Sequence, residues 1–382
     1  MRVWIENPFD NLPVEGFRPQ RYWLMAEAFV KAGNDVTLWT SDFSHARKTA
    51  RTITQSSAPF RLKFVKTPPY KSNVCVARIR SHRAYAANWL ADALADAKAN
   101  GIPDILIASL PPLSTGDAAL SLKRELGARL VLDVMDSWPE TFYRLIPKPF
   151  RFLGPVALSG MHATARRAYT GADIVTGVCD AYKKIAHKYG AHSYTRFYHG
   201  VSIPREPANK PKASQSLSLV YAGNFGRGYD LATAINAVKK MDGASLDIAG
   251  AGEREAEWRK CAANSPQIRF HGYLDAAGLG KLLDSASIGV IPLSNDTFVG
   301  LPYKLGDYAV HGLKMVTSLS GECAAILERH GAGAVYKPGD TTSFIDAVTK
   351  VSSMKWNGAG LLKELDAERI YSQYVDFVTQ QA

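Results

Sequence analysis

The feature that most constrains the fold is a repeated alternation of short apolar runs with longer amphipathic stretches. Three of the apolar runs are Arg2–Glu6, Asp35–Thr40 and Asp104–Ala108, and helices are predicted between them at Arg18–Ala32 and Ser81–Ala99. Strands that alternate with helices form parallel sheets with helices on both faces, through right-handed crossovers. The sequence therefore predicts an α/β fold built on doubly wound parallel sheets.

The alternation stops once and then restarts, which predicts two domains in a chain of 382 residues. Residues 203–215 are rich in Pro, Ser and Lys and predict a linker or an exposed loop. We predict a first domain at 1–200, a second at 201–360, and a C-terminal helix in the segment 361–382. Two open sheets that face each other would place their ligand along one cleft, beyond the carboxyl ends of the strands.

The positive charge is concentrated in the first domain. The formal net charge is +11, and residues 1–200 carry 27 Lys and Arg against 16 Asp and Glu, whereas the remaining residues balance. This bias favours an anionic partner, which could be a phosphate-bearing substrate, an anionic membrane surface or nucleic acid. No RNA- or DNA-binding signature accompanies it, so nucleic acid is disfavoured.

Basic residues interleave with aromatic ones between residues 68 and 89, which predicts contact with an anionic bilayer or with the diphosphate of a lipid acceptor. A solvated helix face is the alternative. Together with an earlier arginine, the candidate acceptor or membrane residues are Arg21, Lys71, Arg78, Arg80 and Arg83.

Composition also bounds the location and the cofactors. No run of about 18 apolar residues is present, and the N-terminus lacks the apolar core of a secretory signal. We therefore expect a cytoplasmic protein, with peripheral contact to the inner face of the cell membrane. The cysteines are far apart and no Cys/His cluster occurs, so we expect reduced thiols and no metal site.

Two glycine-containing loops are candidate phosphate sites. Residues 221–228, YAGNFGRG, place Gly223, Gly226 and Gly228 between a strand and a helix, with Arg227 beside them. Backbone N–H groups in such a turn can hold a phosphate, although the spacing matches neither a P-loop nor GxGxxG. The loop after the first strand contains Gly16 and precedes basic residues, in particular Arg18 and Arg21. In both loops the glycines could instead serve packing alone.

A lysine at a helix start provides a second candidate donor contact. A helix is predicted from about Pro302 to Val310, with Lys304 in its first turn and Asp307 three residues later. A lysine at this position opposes the helix dipole, so an anionic ligand would explain it. Asp307 could accept hydrogen bonds from ribose hydroxyls, and a solvated Lys/Asp pair is the alternative.

Two carboxylates follow the apolar run 130–134, at the edge where parallel sheets place their ligands. Asp136 and Glu140 could bind acceptor hydroxyls or take a proton. Helix capping or a structural hydrogen bond is the alternative for each. The segment DVMD is not a DxD motif, so no metal is assigned to it.

Taken together, these motifs resemble the bacterial GT-B glycosyltransferases of family 4, in the branch that builds O-antigen, capsule and exopolysaccharide. The resemblance covers nearly the whole chain. It is carried by PDILIASLPP (103–112), LDVMDSWPE (132–140), GADIVTGVCDAY (171–182), LVYAGNFGRGYDL (219–231), IRFHGYLD (268–275) and LPYKLGDYAVHGLKMV (301–316).

The resemblance implies a GT-B fold, a UDP- or GDP-linked sugar donor and retention of anomeric configuration. It implies that residues 223–228 bind the donor diphosphate, with Arg227 as one member of a basic pair and Asn224 in the place of the other. Asp307 falls at the ribose-binding position, while Val299 stands where the family has a glutamate. It further implies that Gly272, Tyr273 and Leu274 adjoin the base, that Gly16 and Arg18 face the transferred sugar, and that the last helix returns to the first domain.

The predicted activity is sugar transfer to a polyprenyl-diphosphate-linked glycan, with neither a metal nor a bound cofactor. Arg227 and Lys304 would stabilise the leaving diphosphate, and Asp136 and Glu140 would serve the acceptor. Two alternatives remain open at this point: a GT-B sugar-nucleotide epimerase, and a non-catalytic nucleotide-sugar-binding subunit.

Overall fold

The computed structural model describes residues 1–53, 57–204, 217–295, 297, 299–356 and 358–381. The chain divides into two compact units. The first unit comprises Met1–Gly200 with Ala367–Ala382, and the second comprises Val201–Asp366. Most of the predicted linker at 203–215 lies outside the described residues.

The first unit is built on a parallel sheet with helices between its strands. Its strands are β1 (Arg2–Glu6), β2 (Asp35–Ser41), β3 (Phe43–Ser44), β4 (Thr49–Ala50), β5 (Arg61–Val65), β6 (Ile105–Leu110), β7 (Arg129–Val134), β8 (Ile174–Gly177) and β9 (Thr195–Arg196). Its helices are α1 (Arg21–Lys31), α2 (Val76–Asn100), α3 (Leu113–Leu126), α4 (Gly154–Ala157), α5 (Ser159–Gly171), α6 (Ala181–Lys188) and, from the C-terminus, α14 (Ala367–Gln380). The sheet order is β5-β2-β1-β6-β7-β8-β9, and β3 pairs with β4 in a separate antiparallel hairpin.

The central position of β1 explains its apolar sequence. It pairs in parallel with β2 on one side and β6 on the other, with Val3 opposite Val36 and Ile105. Val3, Trp4 and Ile5 are fully buried, as expected for a strand covered on both faces.

Helix α1 begins later than predicted, at Arg21 instead of Arg18. Proline at position 19 disfavours helical backbone at the preceding residue, and Gln20 is itself extended, with φ −114° and ψ −178°. Arg18 therefore lies in the loop before the helix and not on its first turn.

The second unit repeats the architecture with a smaller sheet. Its strands are β10 (Leu217–Ala222), β11 (Ala244–Ala249), β12 (Ile268–Gly272), β13 (Ile288–Ile291), β14 (Lys314–Thr317) and β15 (Gly333–Val335), in the parallel order β12-β11-β10-β13-β14-β15. Its helices are α7 (Leu231–Val238), α8 (Glu255–Cys261), α9 (Ala276–Ser285), α10 (Tyr303–Val310), α11 (Glu322–Arg329), α12 (Thr341–Ser353) and α13 (Ala359–Leu365). Its core joins aliphatic residues of β10 and β11 to the rings of Phe225, Trp258 and Phe344.

The C-terminal segment departs from the prediction of one helix within 361–382. The structure has two helices, α13 and α14, separated by Asp366, whose backbone is extended with φ −62° and ψ 117°. The break arises because Val201 pairs there: its N–H donates to the Leu365 carbonyl at 2.9 Å, and it forms a parallel bridge with Asp366. The second unit thus ends at Asp366, and α14 belongs to the first unit.

Helix α14 is held by aromatic contacts within the first unit. The Tyr374 ring lies 4.9 Å from Phe197 and 6.4 Å from Phe29 of α1, measured between ring centroids. Both Phe29 and Tyr374 are fully buried, so the last helix completes the hydrophobic core of the first unit.

Candidate functional site

The glycine turn, defined as residues 223–228, connects β10 to α7 in the second unit. It starts at Gly223, with φ 151°, and leads to Asp230, the N-cap of α7, whose side chain accepts from the Thr233 N–H. Buried Phe225 anchors the turn, with its ring 5.0 Å from that of Trp258. The predicted strand, turn and helix are therefore present, with the turn at the carboxyl end of a central strand.

A second glycine loop, Gly250–Gly252 after β11, packs directly against the glycine turn. A Cβ at Gly250 would lie 1.8 Å from the Gly223 carbonyl oxygen, and one at Gly252 would lie 2.8 Å from the Phe225 nitrogen. The Phe225 N–H donates to the Ala251 carbonyl at 2.9 Å. This loop was not predicted as part of the site, although Gly-Ala-Gly after an apolar strand was a usable signal.

The loop after β12 joins the same edge of the sheet. The Gly250 N–H donates to the Gly272 carbonyl at 2.7 Å, and Gly272 has φ 65°. Tyr273 is exposed and Leu274 half-buried just beyond it. Because β10, β11 and β12 are adjacent and parallel, the loops that follow them lie along one edge of the sheet. The predicted base-contact residues therefore lie beside the Gly250–Gly252 loop, which packs against the glycine turn.

Lys304 reaches the glycine turn from the first turn of α10. A Cβ at Gly223 would lie 2.5 Å from its Nζ, so the ammonium occupies the space that glycine leaves open. Nζ also lies 5.2 Å from the ring centroid of Tyr221 and 4.8 Å from that of Tyr229. Among the described residues no carboxylate forms an ion pair with Lys304. Because this ammonium contacts backbone and aromatic rings and no carboxylate in the described part of the chain neutralises it, it is suited to bind an anion.

Arg227 lies in the same turn but its guanidinium has a protein partner. The side chain is 85% exposed, and Nε lies 3.3 Å from Glu253, whose other carboxylate oxygen accepts from the Arg227 N–H at 3.2 Å. A ligand phosphate would have to compete with this exposed carboxylate for Arg227. The two predicted cations therefore border one turn and differ in how far their charge is already matched.

The other predicted donor residues surround this turn. Asn224 is exposed, and its carbonyl accepts from the Tyr221 hydroxyl at 2.6 Å. The Gly226 and Gly228 carbonyls accept from the N–H groups of Tyr229 and Ser294, at 3.1 and 3.0 Å. Asp307 lies on α10, one turn beyond Lys304. These residues share one end of the second unit.

In the first unit the loop after β1 is fixed by charged side chains. Gly16 has φ 82° and is exposed, ending a short 3-10 helix at Pro13–Glu15. Arg51 pairs with the Glu15 carboxylate, and Nη2 of Arg51 donates to the Asp10 carbonyl at 2.8 Å. Arg18 donates to the Pro19 carbonyl at 3.4 Å.

The prediction that Arg21 contacts an acceptor or a membrane is wrong. Arg21 is 0% exposed and forms a two-pronged salt bridge with Asp133, at 2.8 Å from both Nε and Nη2. Asp133 also accepts from the hydroxyls of Tyr22 and Thr176, at 2.9 and 2.7 Å. Burial disfavours the charge of Asp133, but Arg21 and these donors hold its carboxyl pKa below the ordinary value. Arg21 is therefore a core ion-pair residue.

Asp136 and Glu140 both lie after β7 and are hydrogen-bonded within the first unit. Asp136 accepts from the N–H of Ser137 at 2.7 Å and from the Thr141 hydroxyl at 3.1 Å, and burial raises its pKa. Glu140 accepts from the Tyr189 hydroxyl and Lys188, both at 2.7 Å. These bonds are what the structural alternative predicted, and the acceptor role of both carboxylates stays a prediction.

The basic segment divides into exposed and half-buried residues. Lys71, Arg80 and Arg83 are exposed. Arg78 instead turns inward, with its guanidinium carbon 5.6 Å from the Trp138 ring and its Nε 3.3 Å from His82. Burial, together with the cations Arg78 and Lys48, lowers the pKa of His82 to about 3. His45 lines one small pocket together with His82 and Tyr70, and no local sequence pattern identified this pocket.

The part of the chain that the structure describes also bears on membrane spans and metal sites. No helix in that part of the chain is both long and apolar enough to cross a bilayer. No group of three or more His, Cys, Asp or Glu side chains within it could hold a metal ion.

Most of the second unit is similar in sequence to a known protein family. Residues 217–353 match the family described as Glycosyl transferases group 1. Over this segment the second unit is therefore similar to the group 1 glycosyltransferases. The sequence itself returned no significant match among curated proteins.

Solved structures resemble the chain over its full length. Sucrose-phosphate synthase from Thermosynechococcus elongatus has a TM-score of 0.75 at 12% identity, covering 99% of this chain and 98% of that one. HepE from Anabaena in complex with UDP-glucose has a TM-score of 0.69 at 12% identity, covering both chains fully. The apo lipopolysaccharide outer core galactosyltransferase WaaB has a TM-score of 0.64 at 14% identity, again with full coverage.

The chain has the GT-B fold. The prediction of two Rossmann-like parallel-sheet domains is thus confirmed. In this fold assignment, the glycine turn and Lys304 both lie inside the segment that matches the group 1 family.

Proposed function

We propose that this protein transfers a sugar from a UDP- or GDP-linked donor to a polyprenyl-diphosphate-linked glycan in bacterial surface polysaccharide synthesis, with retention and without a metal. The observation that carries the donor half of the proposal is the unmatched Lys304 ammonium beside Gly223. The acceptor half draws on the excess of basic residues in residues 1–200. HepE, which shares the fold, was solved with UDP-glucose, in keeping with a nucleotide-sugar donor.

Lys304 would act on the charge that develops as the donor breaks. The bond between the anomeric carbon and the β-phosphate oxygen breaks, and its electron pair leaves with the diphosphate. The acceptor hydroxyl oxygen forms the new bond to the anomeric carbon, and its proton passes to the departing diphosphate. An ammonium held in place before the reaction stabilises the departing charge without reorganisation. Asp136 and Glu140 are the candidates for contact with the acceptor hydroxyls.

The glycine turn would hold the donor phosphates with backbone N–H groups. A side chain at Gly223 would take the space of Lys304 Nζ, and a side chain at Gly250 would displace the turn itself. Arg227 would add a second cation once it leaves Glu253, an exchange between two exposed ionic contacts that costs little. These groups of the second unit would bind the donor diphosphate and stabilise its departure.

The test is transfer of radiolabelled sugar from a panel of UDP- and GDP-sugars to membrane lipid, using the wild type, Lys304→Ala and Arg227→Ala. Lys304→Ala should lower turnover by about 10²- to 10³-fold, because it removes a preorganised charge contact. Arg227→Ala should have a smaller effect, since Glu253 already offsets that charge. Lys281→Ala, at an exposed lysine of α9, is the matched control and should transfer at the wild-type rate.

The same assay separates the alternatives. Interconversion of the nucleotide sugar without transfer would identify an epimerase, and nucleotide binding with neither reaction would identify a binding subunit. Wild-type turnover in Lys304→Ala would remove the donor site from the glycine turn.

A further inference from the structure

Large apolar side chains are exposed in two segments of the first unit. One segment, 145–156, contains Phe152 at 74% exposure and Val156 at 76%, together with exposed Phe150 and Leu153. The other, 74–79, contains Val74 at 66% exposure with exposed Val76 and Ile79. Most of the exposed large hydrophobics among the described residues lie in these two segments, although isolated ones are ordinary on a soluble surface.

The two segments are connected through direct contacts. Arg78, in the first turn of α2, lies 5.6 Å from the Trp138 ring, and Trp138 packs on Phe142 with ring centroids 4.6 Å apart. Tyr143 in turn packs against Gly154, where an added Cβ would come within 2.3 Å of its ring. We call the solvent-accessible residues of 71–83 and 144–156 the apolar-basic face.

All charged residues within the two segments that form this face have one sign. Residues 66–91 contain five Lys or Arg and no Asp or Glu, and residues 141–158 contain three Lys or Arg and again no acid. Exposed Arg80 and Arg83 flank the first apolar segment, and Lys148 and Arg151 lie among the phenylalanines of the second. Apolar side chains between cations match the chemistry of an anionic lipid interface.

A second copy of the chain is a poor occupant of the same face. A twofold contact would bring the same cations of both copies together, with no acid in either segment to offset them. A bilayer with anionic headgroups offers negative charge over the whole contact and an apolar layer beneath it.

We propose that the apolar-basic face binds anionic bilayers, with Phe150, Phe152 and Val156 entering the acyl boundary while Lys148 and Arg151 contact the headgroups. This proposal deepens the proposed function and rests on it in one respect only: a lipid-linked acceptor gives the protein a reason to bind a membrane. From the sequence, such contact was predicted for Arg21, Lys71, Arg78, Arg80 and Arg83. The structure adds the aromatic segment 145–156 and supplies side chains able to insert.

The test measures co-sedimentation of the full chain with vesicles of phosphatidylcholine, with and without phosphatidylglycerol. The wild type should bind the anionic vesicles and lose binding as salt is raised, since the attraction to headgroups is screened. Phe150→Ser with Phe152→Ser should weaken binding on the order of tenfold or more, because two inserted rings are lost. Lys148→Glu with Arg151→Glu should abolish the preference for anionic vesicles.

Matched controls change equally exposed hydrophobics elsewhere. Ile102→Ser lies beyond the C-terminal end of α2, about 37 Å along that helix from its start, and Val335→Ser lies in the second unit. Both should bind like the wild type. Val74→Ser with Val76→Ser is a second test variant, for use if the phenylalanine variant unfolds.

Wild-type binding by both the phenylalanine and the valine variants would overturn the proposal. So would a dimer in light scattering that these variants dissociate, which would make the face a self-association surface. Titration with UDP and GDP separates this result from the proposed function. Vesicle binding without nucleotide binding would support the membrane proposal and overturn the proposed transferase function. Nucleotide binding without vesicle binding would overturn the membrane proposal and leave the transferase function standing.

Discussion

The loops that follow the first strand of each unit occupy equivalent positions and are built in opposite ways. β1 and β10 are both interior strands of parallel sheets, so each loop lies at the edge where ligands bind. After β1, buried charges fix the chain: Arg51 pairs with Glu15, and Asp10 accepts from the Tyr22 N–H at 2.9 Å. After β10, close backbone contacts between glycines fix it instead.

The comparison shows that a basic residue near such a loop can have either of two fates. Arg21 forms a salt bridge with Asp133 and is buried inside the first unit, so its charge stabilises the fold and cannot bind a ligand. Lys304 lies on a glycine and two rings, so its charge remains for a ligand. Sequence position alone made the two look alike, since both follow a loop and begin a helix.

The largest expected effect tests the ion pair of the first unit. Arg21→Ala should destabilise the chain by about 3–5 kcal/mol, because it leaves the Asp133 carboxylate buried without its cation. Urea unfolding measures this loss. Arg167→Ala is the control: it removes an equally two-pronged but exposed pair with Asp117, and should cost less than about 1 kcal/mol. Equal losses of unfolding free energy in both variants would contradict the conclusion that the buried Arg21 charge stabilises the fold.

The next effect tests the glycine packing of the second unit. Gly250→Ala should cost roughly 1–3 kcal/mol, since its Cβ would lie 1.8 Å from the Gly223 carbonyl oxygen and the backbone must move. Nucleotide affinity should fall with it, measured by calorimetric titration. Gly226→Ala is the comparison, because its Cβ would meet only the Asn224 side chain, at 3.3 Å. If Gly250→Ala binds nucleotide as tightly as Gly226→Ala, the second glycine loop has no part in the site.

The last effect is a pH dependence that belongs to the first unit. Burial raises the pKa of Glu6 from 4.5 to about 8, and that of Asp10 from 3.8 to about 7. Between the unfolded and folded values the native state binds more protons, so each group lowers stability as pH rises, by about 1.4 kcal/mol per pH unit. Glu6→Gln should therefore reduce the slope of stability against pH between about 5 and 8.

Urea unfolding of the wild type and Glu6→Gln at several pH values provides the measurement. The two proteins should be most alike near pH 5, and the variant should be the more stable near pH 8. Parallel slopes would mean that Glu6 is already ionised in the folded protein. Glu27→Gln provides a second slope of stability against pH for comparison in the same unit. The Glu27 carboxylate accepts from the Trp23 indole N–H at 2.7 Å.

Much of the architecture could be predicted because it depends on local patterns. Apolar runs such as Arg2–Glu6 and Asp35–Thr40 were placed within a residue of β1 and β2, since a strand buried on both faces needs continuous apolar sequence. The turn at 223–228 and the helix carrying Lys304 were also predicted, and the structure brings them together. Their joint position follows from parallel topology, which collects strand ends at one edge.

Other parts of the site were out of reach of local patterns. The fate of Arg21 depends on Asp133, which is 112 positions away, and the break at Asp366 depends on Val201. The Gly250 loop became meaningful only when β11 was placed next to β10. Phe150 and Phe152 were unremarkable in sequence, because whether an aromatic side chain is buried is decided by the elements that pack around it.

The sequence by itself determined the two parallel-sheet domains, the glycine turn and the lysine at a helix start, because strand, turn and helix preferences act over a few residues. Only the tertiary structure decided which cations remain available, how closely the glycines approach, and which apolar side chains stay in solvent. Burial and ion pairing are properties of residues far apart in the chain, and they exist only once the sheets have assembled.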